Sequence, residues 1–374
     1  MENSVEKVRN IRKDIIKDYS SKNLPKTNID MMVNEVSEFR DVIVKEIYDE
    51  APDVKSFVLV PNKNKGVNEL ESFKAGQYIS IKLTINDIVT TRAYSLSSSP
   101  SEALKGYYRI TIKRVQDGLV SNYMLDEVKV GDELRVSKPA GDFGYLKVRD
   151  EENVIGIAGG SGITPFISLA KAIDDGIEDC NLTVLYSVRT YDDIIFKKEI
   201  EEFNRKSKRV KFVITLTREE KEGYLNGHLN KEMIEPYIKE FNTVLMCGPK
   251  AVYKAMNEIL LDFNIPRKCV HYENFFSDYK PNEVKTYKLR ILTKGEVKAI
   301  ECKSNETLLV SMEKAGIEAP SLCRVGECGF CRSILIDGKI KMVGGVQPKS
   351  LSENDYFHPC ITYPESDIVL KLDI

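Results

Sequence analysis

Cys323, Cys328 and Cys331 lie in one short stretch, Cys323-Arg324-Val325-Gly326-Glu327-Cys328-Gly329-Phe330-Cys331, and Cys360 follows after 28 intervening residues. Three crowded thiols and one remote one are the spacing of a plant-type [2Fe–2S] site, which moves single electrons. Zinc usually draws two well-separated Cys-x-x-Cys pairs. Two disulfides would hardly close in so tight a loop. The four thiols are expected to hold a two-iron cluster, and the rest of the chain to feed it.

Other stretches offer complementary chemistry. Arg92-Ala93-Tyr94-Ser95-Leu96-Ser97-Ser98 combines a fixed cation for phosphate, a flat ring to stack on and hydroxyl donors. The same residues would also make an ordinary polar strand end. Gly118-Leu119-Val120-Ser121-Asn122 sets a glycine before a helix start, whose free amides suit a pyrophosphate. Val154–Ala158 reads as a buried strand running into Gly159-Gly160-Ser161-Gly162-Ile163-Thr164-Pro165. Glycines there let amides approach a phosphate, and Pro165 suits a first helical turn. The pattern is not the strict G-x-G-x-x-G, and a plain strand–helix turn is the alternative. Cys247-Gly248-Pro249 ends another strand, at the edge where ligands of open α/β sheets bind. Cys247 there is either a small apolar residue or part of a nicotinamide pocket.

The composition sets the frame. The 374 residues call for two or three domains, with 42% apolar and 30% charged residues as in ordinary globular proteins. A net charge of −2 gives no global field for nucleic acid or anionic membrane, and no apolar run approaches a membrane span. The start, Met1-Glu2-Asn3-Ser4-Val5-Glu6, lacks a signal-peptide pattern. The four remaining cysteines are scattered singly, so a cytoplasmic protein is expected rather than a secreted disulfide framework. Three dispersed histidines exclude a Rieske centre.

Four patterns follow one another along the chain. Residues 1–40 carry Val5, Val8, Ile11 and Ile15 at helical spacing, with a second short helix expected from Asn28 to Phe39. From residue 41 the runs Val42–Ile47, Val54–Val60, Tyr78–Leu83, Tyr107–Arg114 and Glu133–Val136, split by turn signals, predict a small antiparallel barrel. After Asp150, strands at Val154–Ala158, Leu182–Tyr186, Val210–Leu216, Thr243–Cys247 and Val270–Tyr272 alternate with helical patterns. Those helices are expected near Phe166–Ile173, Ile195–Lys206, Asn230–Lys239 and Lys250–Phe263, which predicts a doubly wound parallel sheet. A polar, proline-containing segment precedes a hairpin turning at Lys294-Gly295, the helix Thr307–Ala315, the cysteine loop and further β structure.

Together these motifs resemble the ferredoxin–NADP reductase superfamily, in the branch with a plant-type ferredoxin domain at the C-terminus. The resemblance covers residues 41–374, and within the barrel it is closest to the reductase half of flavohaemoglobins. It implies a multidomain α+β protein. A short N-terminal helical extension (1–40) precedes a FAD-binding antiparallel β-barrel (41–148) and a doubly wound NAD(P)-binding α/β domain (149–278). A linker (279–286) then leads to a β-grasp ferredoxin domain (287–374). It also implies that Gly76-Gln77-Tyr78, Arg92, Ala93, Tyr94, Ser95, Lys113, Gly118, Val120 and Ser121 bind the flavin. Gly118–Asn122 favours FAD over FMN by seating a second phosphate. NADH or NADPH is expected on Gly160, Ser161, Gly162, Ile163, Thr164 and Pro165, with Arg189 near its ribose and Cys247, Gly248 and Pro249 beside the nicotinamide. In His271-Tyr272-Glu273-Asn274-Phe275, Phe275 is expected near the flavin.

The implied chemistry is hydride transfer from NAD(P)H, with Ser95, Cys247 and Glu273 as the catalytic set and a flavin splitting the electron pair. Electrons then reach the cluster on Cys323, Cys328, Cys331 and Cys360. From there they pass to a protein acceptor such as an oxygenase component or a hybrid-cluster protein. Acids and arginines both follow the second strand of the α/β domain, and the reading leans to NADH. Arg324, Val325, Glu327 and Phe330, around the cluster loop, are expected to face the acceptor. A non-catalytic redox module and a reductase of small acceptors are the alternatives.

Overall fold

The computed structural model describes residues 39–238, 242–273, 275, 279–293, 296–344 and 356–372. The helices expected in the first 38 residues and the turn at Lys294-Gly295 lie outside them.

Six antiparallel strands form the first sheet: β1 (Arg40–Ala51), β2 (Val54–Pro61), β3 (Tyr78–Ile85), β4 (Ile88–Ser95), β5 (Tyr108–Lys113) and β6 (Glu133–Val136). Their order is β4-β3-β6-β1-β2-β5. An antiparallel bridge between Leu96 and Ile110 joins the end of β4 to β5, so the sheet curls back on itself. Alternating residues pack inside, among them Phe57, Leu59, Ile79, Ile81, Leu96, Ile110 and Ile112, all fully buried. Helix α1 (Pro100–Leu104) opens with a capping box on Ser99. Helix α2 (Leu119–Asp126) drops Val120 and Met124 into the barrel core. β4 lies outside the alternating runs, and its end, Arg92–Ser95, is the stretch that the resemblance assigns to the flavin.

The second sheet is parallel. It comprises β7 (Asn153–Gly159), β8 (Asn181–Val188), β9 (Val210–Leu216), β10 (Leu225–Asn226), β11 (Thr243–Cys247) and β12 (Val270–Glu273). Helices α3 (Thr164–Asp174), α4 (Lys197–Lys206), α5 (Lys231–Ile234) and α6 (Lys250–Leu261) connect them. The order β10-β9-β8-β7-β11-β12 reverses between β7 and β11, which opens a crevice at the carboxyl ends of those two strands. The helix expected from Asn230 to Lys239 is only four residues long. Pro236 offers no amide to carry the helix on.

The third region contains β13 (Thr286–Thr293), β14 (Glu296–Lys303), helix α7 (Leu308–Lys314), β15 (Ser333–Asp337), β16 (Ile340–Met342), β17 (Tyr356–Phe357), β18 (Thr362–Pro364) and β19 (Ile368–Leu372). Five strands run in the order β14-β13-β19-β15-β17, with β13 and β19 parallel, and β16 pairs with β18. Leu308, Leu309 and Met312 of α7 pack on Leu289, Ile291, Leu335 and Leu370, which gives a β-grasp around one helix.

Candidate active site

Ser95 closes β4, Cys247 closes β11 and Glu273 closes β12, and the three side chains meet. Ser95 Oγ donates to Glu273 Oε2 at 3.3 Å, and Cys247 Sγ lies 3.6 Å from the same oxygen. β11 and β12 are neighbours with Cys247 opposite Glu273, so pairing register places two of the groups. The third crosses from the barrel. Glu273 is buried, and loss of water pushes its carboxyl up to about 8, against smaller opposing effects from Cys247 and Ser95. Burial likewise holds the Cys247 thiol well above its ordinary range, so it is no thiolate nucleophile.

The glycine turn packs directly on this trio. Gly160 has a left-handed φ of 54°. A Cβ on Gly162 would fall 2.1 Å from Cys247 O, and one on Gly159 would fall 2.8 Å from Pro249 Cδ. The glycines therefore let the ends of β7 and β11 touch. Ile163, Thr164 and Pro165 are buried in the packing of α3, so of these only Gly160 and Ser161 are partly open. A Cβ on Gly160 would lie 3.9 Å from Lys113 Nζ, which puts a barrel ammonium beside the open end of the turn. Arg189 is exposed past β8 and its carbonyl accepts from Arg218 N at 2.8 Å, bringing two arginines to one edge. Asp193 is spent there on the amide and hydroxyl of Thr190, and Glu219 on the amide of Tyr191.

Among the flavin-binding candidates, Tyr78, Ala93, Tyr94 and Ser95 stand on the paired strands β3 and β4, where Tyr78 faces Ser95 and Ile79 faces Tyr94. Arg92 Nη1 donates to Thr90 Oγ1 at 3.0 Å and to Thr91 O at 2.7 Å. Burial, then the neighbouring cation Arg324, lowers its pKa to about 10. A buried guanidinium whose strongest charged neighbour is another cation is a seat for a phosphate. Gly118 is required by its own turn, since a Cβ would meet Ser121 Oγ at 2.5 Å. Ser121 Oγ accepts from Val115 N, and Val120 is a core residue, so this turn can offer a ligand mainly its backbone. Phe275 is partly buried and packs on the core of the α/β sheet.

All four loop-and-strand cysteines are free. Cys331 Sγ and Cys360 Sγ are 3.2 Å apart, and the Cys323 and Cys328 thiols are hydrogen-bonded to each other. Among the described residues no group of three or more His, Cys, Asp or Glu side chains closes around one point. Two pairs of thiols fit two irons better than one zinc. Left-handed backbone at Arg324, Gly326 and Gly329 coils the loop, and the amides of Val325 and Cys328 point at Cys323 Sγ at 3.4 Å. Donors aimed at a sulfur suit a cluster ligand.

The loop does not present its expected outer rim. Cys323 and Val325 pack on Tyr78, with Ala93, Ala140 and Cys328 around them. Arg324 is also turned inward, bound to Glu313 at 2.5 and 3.0 Å. Of the four rim residues, Glu327 is exposed and Phe330 half-buried, while Arg324 and Val325 face the barrel: the valine is apolar, and Glu313 offsets the cost of burying the guanidinium.

Two residues escaped sequence reasoning. Tyr253 OH accepts from Gly248 N at 2.9 Å and donates to Glu273 O at 2.5 Å, locking two of the site's segments together. Its only signal was position, in the first turn of the helix after Gly248-Pro249. Glu313 had none, since its partner lies in the cluster loop.

Three family models match in order. Residues 41–145 match the oxidoreductase FAD-binding domain, 157–258 the oxidoreductase NAD-binding domain and 292–365 the 2Fe-2S iron-sulfur cluster binding domain. The chain belongs to the ferredoxin reductase family, in the branch with a C-terminal [2Fe–2S] domain. The reductase is 26% identical over 351 residues to a glycine betaine monooxygenase reductase subunit of Chromohalobacter salexigens, covering 87% of this chain and 93% of the relative. It is 26% identical to the NADH oxidoreductase HCR of Escherichia coli, covering 87% and 96%. Phthalate dioxygenase reductase shares its fold, with a TM-score of 0.67, 24% identity and coverage of 90% and 98%. No helix among the reductase's described residues is long and apolar enough to cross a membrane.

Proposed function

We propose that this reductase takes hydride from NAD(P)H at Ser95, Cys247 and Glu273 and delivers single electrons to a protein acceptor, an oxygenase component. The overall change is NAD(P)H plus two oxidised acceptors giving NAD(P)⁺, one proton and two reduced acceptors. The observation that carries it is the meeting of Ser95, Cys247 and Glu273 at the switch point, one residue from Tyr94 and a single apolar seam away from Cys323. Relatives named as oxygenase reductase subunits support the choice of acceptor.

Bound FAD supplies conversion of a hydride into separable electrons, which a [2Fe–2S] cluster passes on singly. Arg92 and the backbone of Gly118–Ser121 hold the phosphates, and Tyr94 packs on the ring. Ser95 is the hydroxyl donor at the reacting edge. Gly160, Ser161 and Lys113 hold the dinucleotide phosphates, and Cys247, Gly248 and Pro249 the nicotinamide. Glu273 is uncharged below about pH 8, and its Oε2 accepts from Ser95 and Cys247. The protein's contribution is orientation. The thiol pairs Cys323 with Cys328 and Cys331 with Cys360 would hold the cluster's irons.

Rapid mixing of the loaded enzyme with NADH tests the reading: the flavin band should bleach first and the cluster signal follow. Cluster reduction ahead of flavin bleaching would overturn it.

A further inference from the structure

The segment leading into the cluster loop is bonded to the barrel at two buried points and, around them, one part-buried and one exposed. Ser80 Oγ donates to Leu322 O at 2.9 Å, and Thr91 Oγ1 and Ser321 Oγ lie 2.7 Å apart. Lys82 pairs with Glu318. Arg324 Nη1 reaches Thr90 Oγ1 at 3.4 Å, and that hydroxyl also accepts from Arg92 Nη1. Arg324 is braced from behind by Glu313 on α7, and the two side chains are only 11% and 5% exposed. Both sides of Cys323 are thus tied to β3 and β4, the strands that carry Tyr78 and Arg92–Ser95.

Release of this contact would bare Tyr78 and Val325 to water and strip the Arg324–Thr90 contact. Apolar burial and hydroxyl pairs shut away from solvent act together to keep it closed. Nothing comparable would be needed by a domain that docks only in passing.

We propose that the cluster domain works permanently docked, with Ser80, Thr91 and Arg324 as positioning residues, so that electrons cross a fixed seam rather than ride a swinging domain. The acceptor must then approach from the side of Cys331 and Cys360, away from the barrel. The inference rests on the electron route proposed above.

A cysteine pair, Thr91→Cys with Ser321→Cys, tests it in the full-length enzyme loaded with flavin and cluster. Oxidised glutathione should link the pair rapidly. The linked enzyme should bleach its flavin with NADH, reduce its cluster and reduce cytochrome c within twofold of the unlinked form. Linking no faster than disulfide formation in the single variant Thr91→Cys overturns the proposal. So does a linked enzyme whose cytochrome c reduction falls tenfold or more while flavin bleaching persists. Should the cysteine pair disturb folding, carbodiimide coupling of Lys82 to Glu318 in the unsubstituted enzyme, located by peptide mass, gives the same reading with the same activity limits. Failure of the electron route itself is separate, because the unsubstituted enzyme would then bleach its flavin and never reduce its cluster.

Discussion

Ser95 and Glu273 are 178 residues apart in sequence and belong to different sheets, yet their side chains share a hydrogen bond of 3.3 Å. The reacting site therefore exists only while barrel and α/β sheet keep their alignment. In the proposed reaction its chemistry depends on one buried proton.

That proton has a measurable signature. Burial raises the Glu273 pKa from an ordinary 4.5 to about 8, so between those values the folded chain binds more protons than the unfolded one. Stability must then fall as pH rises through that window and level off above it. At 1.36 kcal/mol per unit, about 2–3 kcal/mol should be lost between pH 6 and pH 8. Denaturant titration of wild type should show that slope, and Glu273→Gln should lack it. Hydride transfer in the wild type should decline above pH 8, while the amide variant should be slower by roughly tenfold to a hundredfold and flat in pH.

Arg109 grips Glu199 with two hydrogen bonds, of 2.6 and 3.1 Å, across the boundary between barrel and α/β sheet. The guanidinium is mostly buried, so removing its partner leaves a poorly solvated charge. Glu199→Ala should cost about 2 kcal/mol by calorimetry. It should also slow flavin bleaching at saturating NADH, because the alignment of Ser95 with Glu273 loosens.

Cys331→Ser should leave flavin bleaching by NADH within twofold of wild type. The cluster's electron paramagnetic resonance signal and cytochrome c reduction should disappear. Equal loss of flavin bleaching would show that the order of carriers is wrong.

At the proposed adenosine edge the acids Asp193 and Glu219 are occupied by backbone groups, whereas Arg189 and Asp192 are exposed. Charges of both signs are therefore open there, and Arg189 is the one that would favour a 2′-phosphate. Arg189→Glu should shift the ratio of kcat/KM for NADPH over NADH downwards by about tenfold.

Much of this was legible before any coordinates. The cysteine spacing, the glycine turn after β7 and the change from alternating to α/β pattern are local signals, and each stands where expected. The resemblance names Ser95, Cys247 and Glu273 together, but their mutual contact comes from strand register and the crossing from the barrel. What sequence reasoning missed was long-range. Thr90 and Thr91 on β4 are covered by residues some 230 positions later, which nothing nearby in the sequence signals. For the same reason Arg324 was taken for an outward-facing cation, since its partners Glu313 and Thr90 leave no mark near it.

The late covering of β3 and β4 also has a consequence for biosynthesis. Ser80 waits for a partner 242 residues downstream. At about 5–20 residues per second, roughly 12–50 s separate their emergence from the ribosome. Throughout that interval Ser80 on β3 and Thr90 and Thr91 on β4 lack the residues that later cover them. Hydroxyls and the Arg92 guanidinium are well suited to keep that surface soluble until the last domain arrives to cover it.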